Sequence, residues 1–88
     1  MSNAGLVDAA SALEAMAAGI EPNRAELVSG ARALDEYVSD KEVSIDLRLA
    51  RTSLSLWAYS GSFFLGKAVR NNAGRAADEV RGLMAAQS

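Results

Sequence analysis

Residues 43–70 read VSIDLRLARTSLSLWAYSGSFFLGKAVR, and the parsing of this stretch decides the fold. Val43, Leu47, Ala50, Leu54, Trp57, Gly61, Phe64 and Ala68 recur at alternating steps of four and three residues. That spacing keeps them on one side of an α-helix, so a long amphipathic helix is expected over about 40–70. Ser39-Asp40-Lys41-Glu42 offers a capping box at its start, with hydroxyl and carboxylate reaching the unpaired backbone N–H groups. A second apolar series, Leu49, Leu56 and Phe63, repeats every seven residues, about 200° round the same helix at roughly 100° per residue. A helix apolar on two opposite sides buries one of them on its own domain. The other is left for a further partner.

The chain before this stretch reads as a helical hairpin. Leu6, Ala9, Leu13, Met16 and Ile20 recur at helical spacing, which predicts a helix over about 4–18. Gly19 suits the left-handed position that closes a helix, and Pro22 prevents continuation. Asn23, with Glu26 three residues on, marks the next start. Leu27, Ala31, Leu34 and Val38 form the apolar stripe of a second helix over about 24–38, with Arg32 and Glu36 spaced so that they can pair on its outer side. The short link between these two helices makes them antiparallel neighbours.

After the stretch, Asn71-Asn72-Ala73-Gly74 reads as an interruption, because asparagine favours turns and caps. A last helix is expected over about 73–86, with Ala73, Ala77, Val80 and Met84 inward. The whole reads as one all-α domain, a small three- to four-helix bundle built on the hairpin and the long helix.

Composition narrows the chemistry. The 88 residues contain no histidine and no cysteine. Disulfides are therefore impossible, and the usual zinc, iron and haem ligand sets are missing. A chain this short buries only about 60% of its unfolded surface, so tight helix packing or a second chain must supply stability. General acid–base work at neutral pH falls most often to histidine. A serine–lysine nucleophile fares no better, because Ser60 and Lys67 are about 10 Å apart along a helix. The pairs Glu42 with Asp46 and Asp35 with Glu36 lack the further oxygen ligands a cation needs. Gly61 and Gly66 belong to no phosphate-binding loop pattern. No enzyme activity, cofactor or metal is expected.

Charge is uneven along the chain. Residues 1–50 hold nine acids and four bases (net −5), and residues 51–88 hold five bases and two acids (net +3). From Leu47 to Ala77 every charge is positive: Arg48, Arg51, Lys67, Arg70 and Arg75. Such an asymmetry serves either the packing of one half on the other or the attraction of an acidic partner.

Two other readings use the same stretch. Val43 to Leu49 alternates apolar and polar residues, the pattern of a half-buried strand. A strand there, followed by helices parted at Ser60-Gly61-Ser62 and ending at Arg70, resembles the ribbon-helix-helix group of DNA-binding proteins. The resemblance implies a strand in the major groove with Ser44, Asp46 and Arg48 towards the bases, and hence a small nucleic-acid-binding transcriptional regulator. The basic stretch 48–75 gives the same alternative by phosphate contact. Thr52 to Gly66 carries no charge, yet as a helix it spans only about 22 Å, short of the roughly 30 Å a membrane needs. The Trp-x-Gly turn of a family of small secreted helical hairpins is missing, since Trp57 is followed by Ala58-Tyr59. With no membrane span and no basic leader before Asp8 and Glu14, a cytoplasmic location is expected.

The leading expectation is a non-catalytic protein–protein interaction module that self-associates, binds and regulates a heterologous protein, or both. Its surface is the second side of the 40–70 helix. Leu49, Leu56, Phe63 and Tyr59 anchor it, and Arg48, Arg51 and Arg70 form the rim.

Overall fold

Helix boundaries in this chain fall where a particular side chain or glycine satisfies unpaired backbone groups. A computed structural model describes residues 4–39, 42–61 and 65–87. These form α1 (Ala4–Ala17), α2 (Arg24–Ser39), α3 (Ile45–Ser60) and α4 (Lys67–Gln87), with no strand among the described residues. At the end of α1, Gly19 takes φ 75°. Its N–H donates to Met16 O at 3.0 Å, and the Ile20 N–H donates to Ala15 O at 2.9 Å. This double closure needs a left-handed residue, which glycine adopts without steric cost. Asn23 Oδ1 then accepts from Ala25 N at 2.9 Å and Glu26 N at 3.3 Å, capping α2 as its sequence position predicts.

The four helices run alternately up and down, each beside its chain neighbours, with α4 closing the ring on α1. Asp35 of α2 meets Arg51 of α3, and Arg24 at the start of α2 reaches Ala58 O near the end of α3 at 2.8 Å. Asp46 at the start of α3 meets Arg75 of α4. Glu14 near the end of α1 meets Arg81 in the second half of α4, while Ala17 lies against Gly74. Among the described residues, three ion pairs each join an acid from residues 1–50 to an arginine from residues 51–88. The charge asymmetry of the sequence is thus partly spent inside the domain.

The core is rich in alanine: Ala9, Ala10, Ala12, Ala31, Ala50, Ala58, Ala73, Ala76 and Ala77 are all buried. Small side chains let the backbones approach, and Leu13, Met16, Leu27, Leu34, Leu54 and Val80 fill the remaining volume. Two glycines let α1 and α2 approach closely. A Cβ at Gly30 would stand 2.6 Å from Ala9 Cα, and one at Gly5 would stand 2.7 Å from Ala33 Cβ.

The expected helix over 40–70 is in fact two helices. Ser44, not Ser39, is the cap: it is extended (φ −60°, ψ 158°), and its hydroxyl accepts from Leu47 N. Ser39 instead ends α2, its hydroxyl bonded to Glu36 O. Gly61 closes α3 in the left-handed region (φ 79°), with its N–H on Trp57 O at 3.1 Å. Of the apolar series, Leu47, Ala50, Leu54 and Trp57 are buried and Val43 packs on the core, while Gly61 is a cap and Ala68 is exposed on the next helix. Phe64 lies outside the described residues.

Three further expectations need correction. Residues 45–49 form the first turns of α3, so the strand and the ribbon-helix-helix reading do not hold. Asn71 to Gly74 lies inside α4, where Asn72 is buried and its amide is satisfied by α3 rather than by a local turn. Ile20, placed on the inner stripe of α1, is 61% exposed because the left-handed Gly19 turns the chain away.

Candidate functional site

Between Ser44 and Gly61, α3 is held at both ends and on both flanks, which fixes what its outer side presents. At the N-terminal end, Ser44 Oγ donates to the Glu79 carboxylate of α4 at 2.7 Å while accepting from Leu47 N. Asn72 Nδ2 donates to Asp46 O and to Asp46 Oδ1, both at 3.0 Å. Arg75 Nε donates to both oxygens of the same carboxylate. At the C-terminal end, Arg24 pairs with the Ala58 carbonyl. On the α2 flank, Arg51 is drawn to Asp35, with Nη2 and Oδ1 2.6 Å apart.

With Leu47, Ala50, Leu54, Trp57 and Ala58 turned inward, the opposite side of α3 faces outward. Ile45 is 72% exposed, Leu49 51%, Leu56 50% and Tyr59 70%. Together with exposed Thr52 they run at steps of four, three, four and three residues, within a wedge about 80° wide. Single exposed leucines are ordinary on a protein surface, but an aligned row of large apolar side chains is not. A shallow groove of about 470 Å³ lies on this side, lined by Arg51, Thr52, Ser55, Leu56, Tyr59 and Ser60. It is the largely apolar one of the two grooves described.

The structure brings together Leu49, Leu56 and Tyr59 on this row. At helical spacing Arg48 borders it, one residue before Leu49 and on the Ser55 edge. Arg51 lies nearer α2 and is already paired with Asp35. Arg70 is not part of the row. Its side chain lies beside Gly19 and borders a mixed polar and apolar groove of about 520 Å³ between α1 and α4, with Glu14, Ala17, Asn71 and Gly74. Phe63 lies outside the described residues. Ile45 was missed by the sequence reading, although its place four residues before Leu49 was the available signal.

No three acidic side chains converge as a metal site would require, among the described residues. Nor is any described helix long and apolar enough to cross a membrane. Of the five bases between Leu47 and Ala77, Arg51 and Arg75 are engaged in ion pairs within the domain. The basic stretch is therefore less free than its sequence suggests.

The ion pairs leave a mark on titration. Hydrogen bonds from Arg75, and then from Asn72, hold the Asp46 carboxyl below its ordinary value of 3.8. The hydrogen bond from Arg81 does the same for Glu14, below 4.5. In the unfolded chain both groups take up protons at higher pH than in the folded one. Their stabilising effect is therefore present above the ordinary values and lost as pH falls through the lower, folded ones. Urea unfolding midpoints are expected to hold level from about pH 7 to about pH 5 and to fall below about pH 4, less steeply in Asp46→Asn than in the wild type.

No family model, no curated protein and no solved structure matches this chain.

Proposed function

We propose that this protein is a non-catalytic protein–protein interaction module whose binding surface is the outer side of α3. The observation that carries the reading is the row Ile45, Leu49, Leu56 and Tyr59, each at least half exposed on one side of one helix. Aromatic and large aliphatic side chains beside an arginine are what interface centres and their rims are made of. The row exposes on the order of 400 Å² of apolar surface, the size of patch that on a monomer usually has a function. Its scaffold is anchored, because α3 is capped by Ser44 and Gly61 and tied to α2 and α4. Anchored presentation reduces the entropy lost on binding.

The experiment compares the wild type with the double variant Leu49→Glu/Leu56→Glu. Both positions point away from the core, so the variant is expected to keep its helical circular dichroism and to unfold within a few degrees of the wild type. Self-association in sedimentation velocity and capture of other proteins from the native host are both expected to be lost. A folded double variant that associates and captures as the wild type does would sink the reading.

A further inference from the structure

Ile45 and Tyr59, the two most exposed residues of the α3 row, lie at opposite ends of the helix, and the groove is at the Tyr59 end. Ile45 stands at the N-terminal end, whereas Ser55, Leu56 and Tyr59 line the groove in the C-terminal half. About Thr52 the row reads nearly alike in both directions: Leu49 and Leu56 are three and four residues away, and Ile45 and Tyr59 are each seven away. A two-fold axis beside Thr52, perpendicular to α3, therefore sets Ile45 of each copy level with Tyr59 of the other. Each isoleucine then enters the groove of the opposite copy. In a parallel pair, Ile45 would meet only its own equivalent, and the two grooves, each with its exposed Tyr59, would face one another.

Resting on the interaction reading above, we propose that a second copy of this chain covers the face, with the two α3 helices packed antiparallel about a two-fold axis at Thr52. The contact is isologous and closes on itself, as most homodimers do. Thr52, smaller than the four residues around it, occupies the crossing point where the helices come closest. Charge permits the arrangement. Asp46 is turned to α4, and Arg51, which lines the groove, is paired with Asp35, which among the described residues leaves Arg48 on the border of the row. The two Arg48 residues are offset by about 12 Å along the helices, beyond the roughly 8 Å screening length at physiological salt. A patch of this size doubled across the axis falls at the lower end of specific interfaces, below about 1,200 Å² in total, the size class of weak, reversible pairs.

The chain has no cysteine, so single cysteines report contacts without background. Ile45→Cys and Tyr59→Cys are prepared separately, then mixed under mild oxidation. The mixed 45–59 disulfide dimer is expected to exceed either self-linked product at least tenfold. Wild-type sedimentation mass should rise towards that of a dimer as concentration increases, and Leu56→Glu, shown folded by circular dichroism, should stay monomeric. Self-linking of each single variant as strongly as the mixture overturns the antiparallel arrangement. A wild type that stays monomeric to millimolar concentration and forms no mixed disulfide overturns self-pairing. In that event, capture of another protein by the wild type but not by Leu49→Glu/Leu56→Glu leaves the interaction reading standing. Capture of nothing overturns both.

Discussion

Replacing Leu54 by alanine is expected to lower stability by about 3 kcal/mol, whereas the same change two residues on, at Leu56, should alter it by less than about 0.5 kcal/mol. Both are leucines on α3, and helix propensity treats them alike. They differ in environment: Leu54 is fully buried in the core cluster, and Leu56 is half exposed on the opposite side. Removing three buried carbon atoms loses their transfer energy and leaves a cavity that alanine-rich neighbours cannot collapse to fill. An 88-residue domain holds about 4–13 kcal/mol in all, so Leu54→Ala consumes a large part of it. At about 4–8 °C per kcal/mol, Tm falls by roughly 12 °C or more. Thermal unfolding of dilute samples, where the monomer dominates, gives the comparison. Equal losses at the two positions would mean that α3 does not have one inner and one outer side.

The second large effect lies where α1 and α2 touch. Gly30→Ala is expected to destabilise by about 1–3 kcal/mol, even though alanine is the better helix former by about 1 kcal/mol. The added Cβ meets Ala9 Cα at 2.6 Å and Ala9 N at 2.8 Å. Those atoms are backbone, so no side-chain rotation relieves the clash and the helices must move apart. Gly82 is the control. It is helical and exposed, with nothing within 4 Å of an added Cβ. Gly82→Ala is therefore expected to stabilise by about 0.4–1 kcal/mol. Chemical denaturation of the two variants should give opposite signs, and matching signs would contradict the close α1–α2 contact.

The sequence shows the hairpin clearly because local signals and tertiary outcome agree there. Gly19, Pro22 and Asn23 act through their own backbone preferences, and the structure realises Gly19 as a left-handed cap and Asn23 as the α2 cap. The 43–70 stretch is harder, because its four-and-three spacing runs on through Gly61 without a break in phase. Periodicity reports which side a residue takes and is silent on whether the helix continues. A glycine on an apolar stripe is equally a weak core member and a left-handed cap. Ser44 is masked in the sequence by the stronger-looking box at Ser39, and its extended backbone and its bond from Leu47 N identify it as the cap. Asn72 illustrates the same limit, since its turn preference yields to a partner on α3, 26 residues earlier in the chain.

The candidate surface was partly legible. Leu49 and Leu56 follow from the seven-residue repeat and are exposed as expected, with Tyr59 beside them. Ile45 was not found, because the residues around it also read as a strand. Arg70 falls on the rim only if one helix runs through Gly61. Once the helix ends there, the phase is lost, and Arg70 falls on α4 beside the end of α1.

The most direct test of the central claim is a dilution series of amide ¹H–¹⁵N spectra on the labelled wild type. The account predicts that the resonances moving with concentration belong to Ile45, Arg48, Leu49, Thr52, Ser55, Leu56 and Tyr59, with the core-facing amides and the α1–α4 groove unchanged. Movement centred on Ala17, Arg70 and Gly74, or spectra that stay identical at every concentration while an added partner perturbs only that groove, would contradict it.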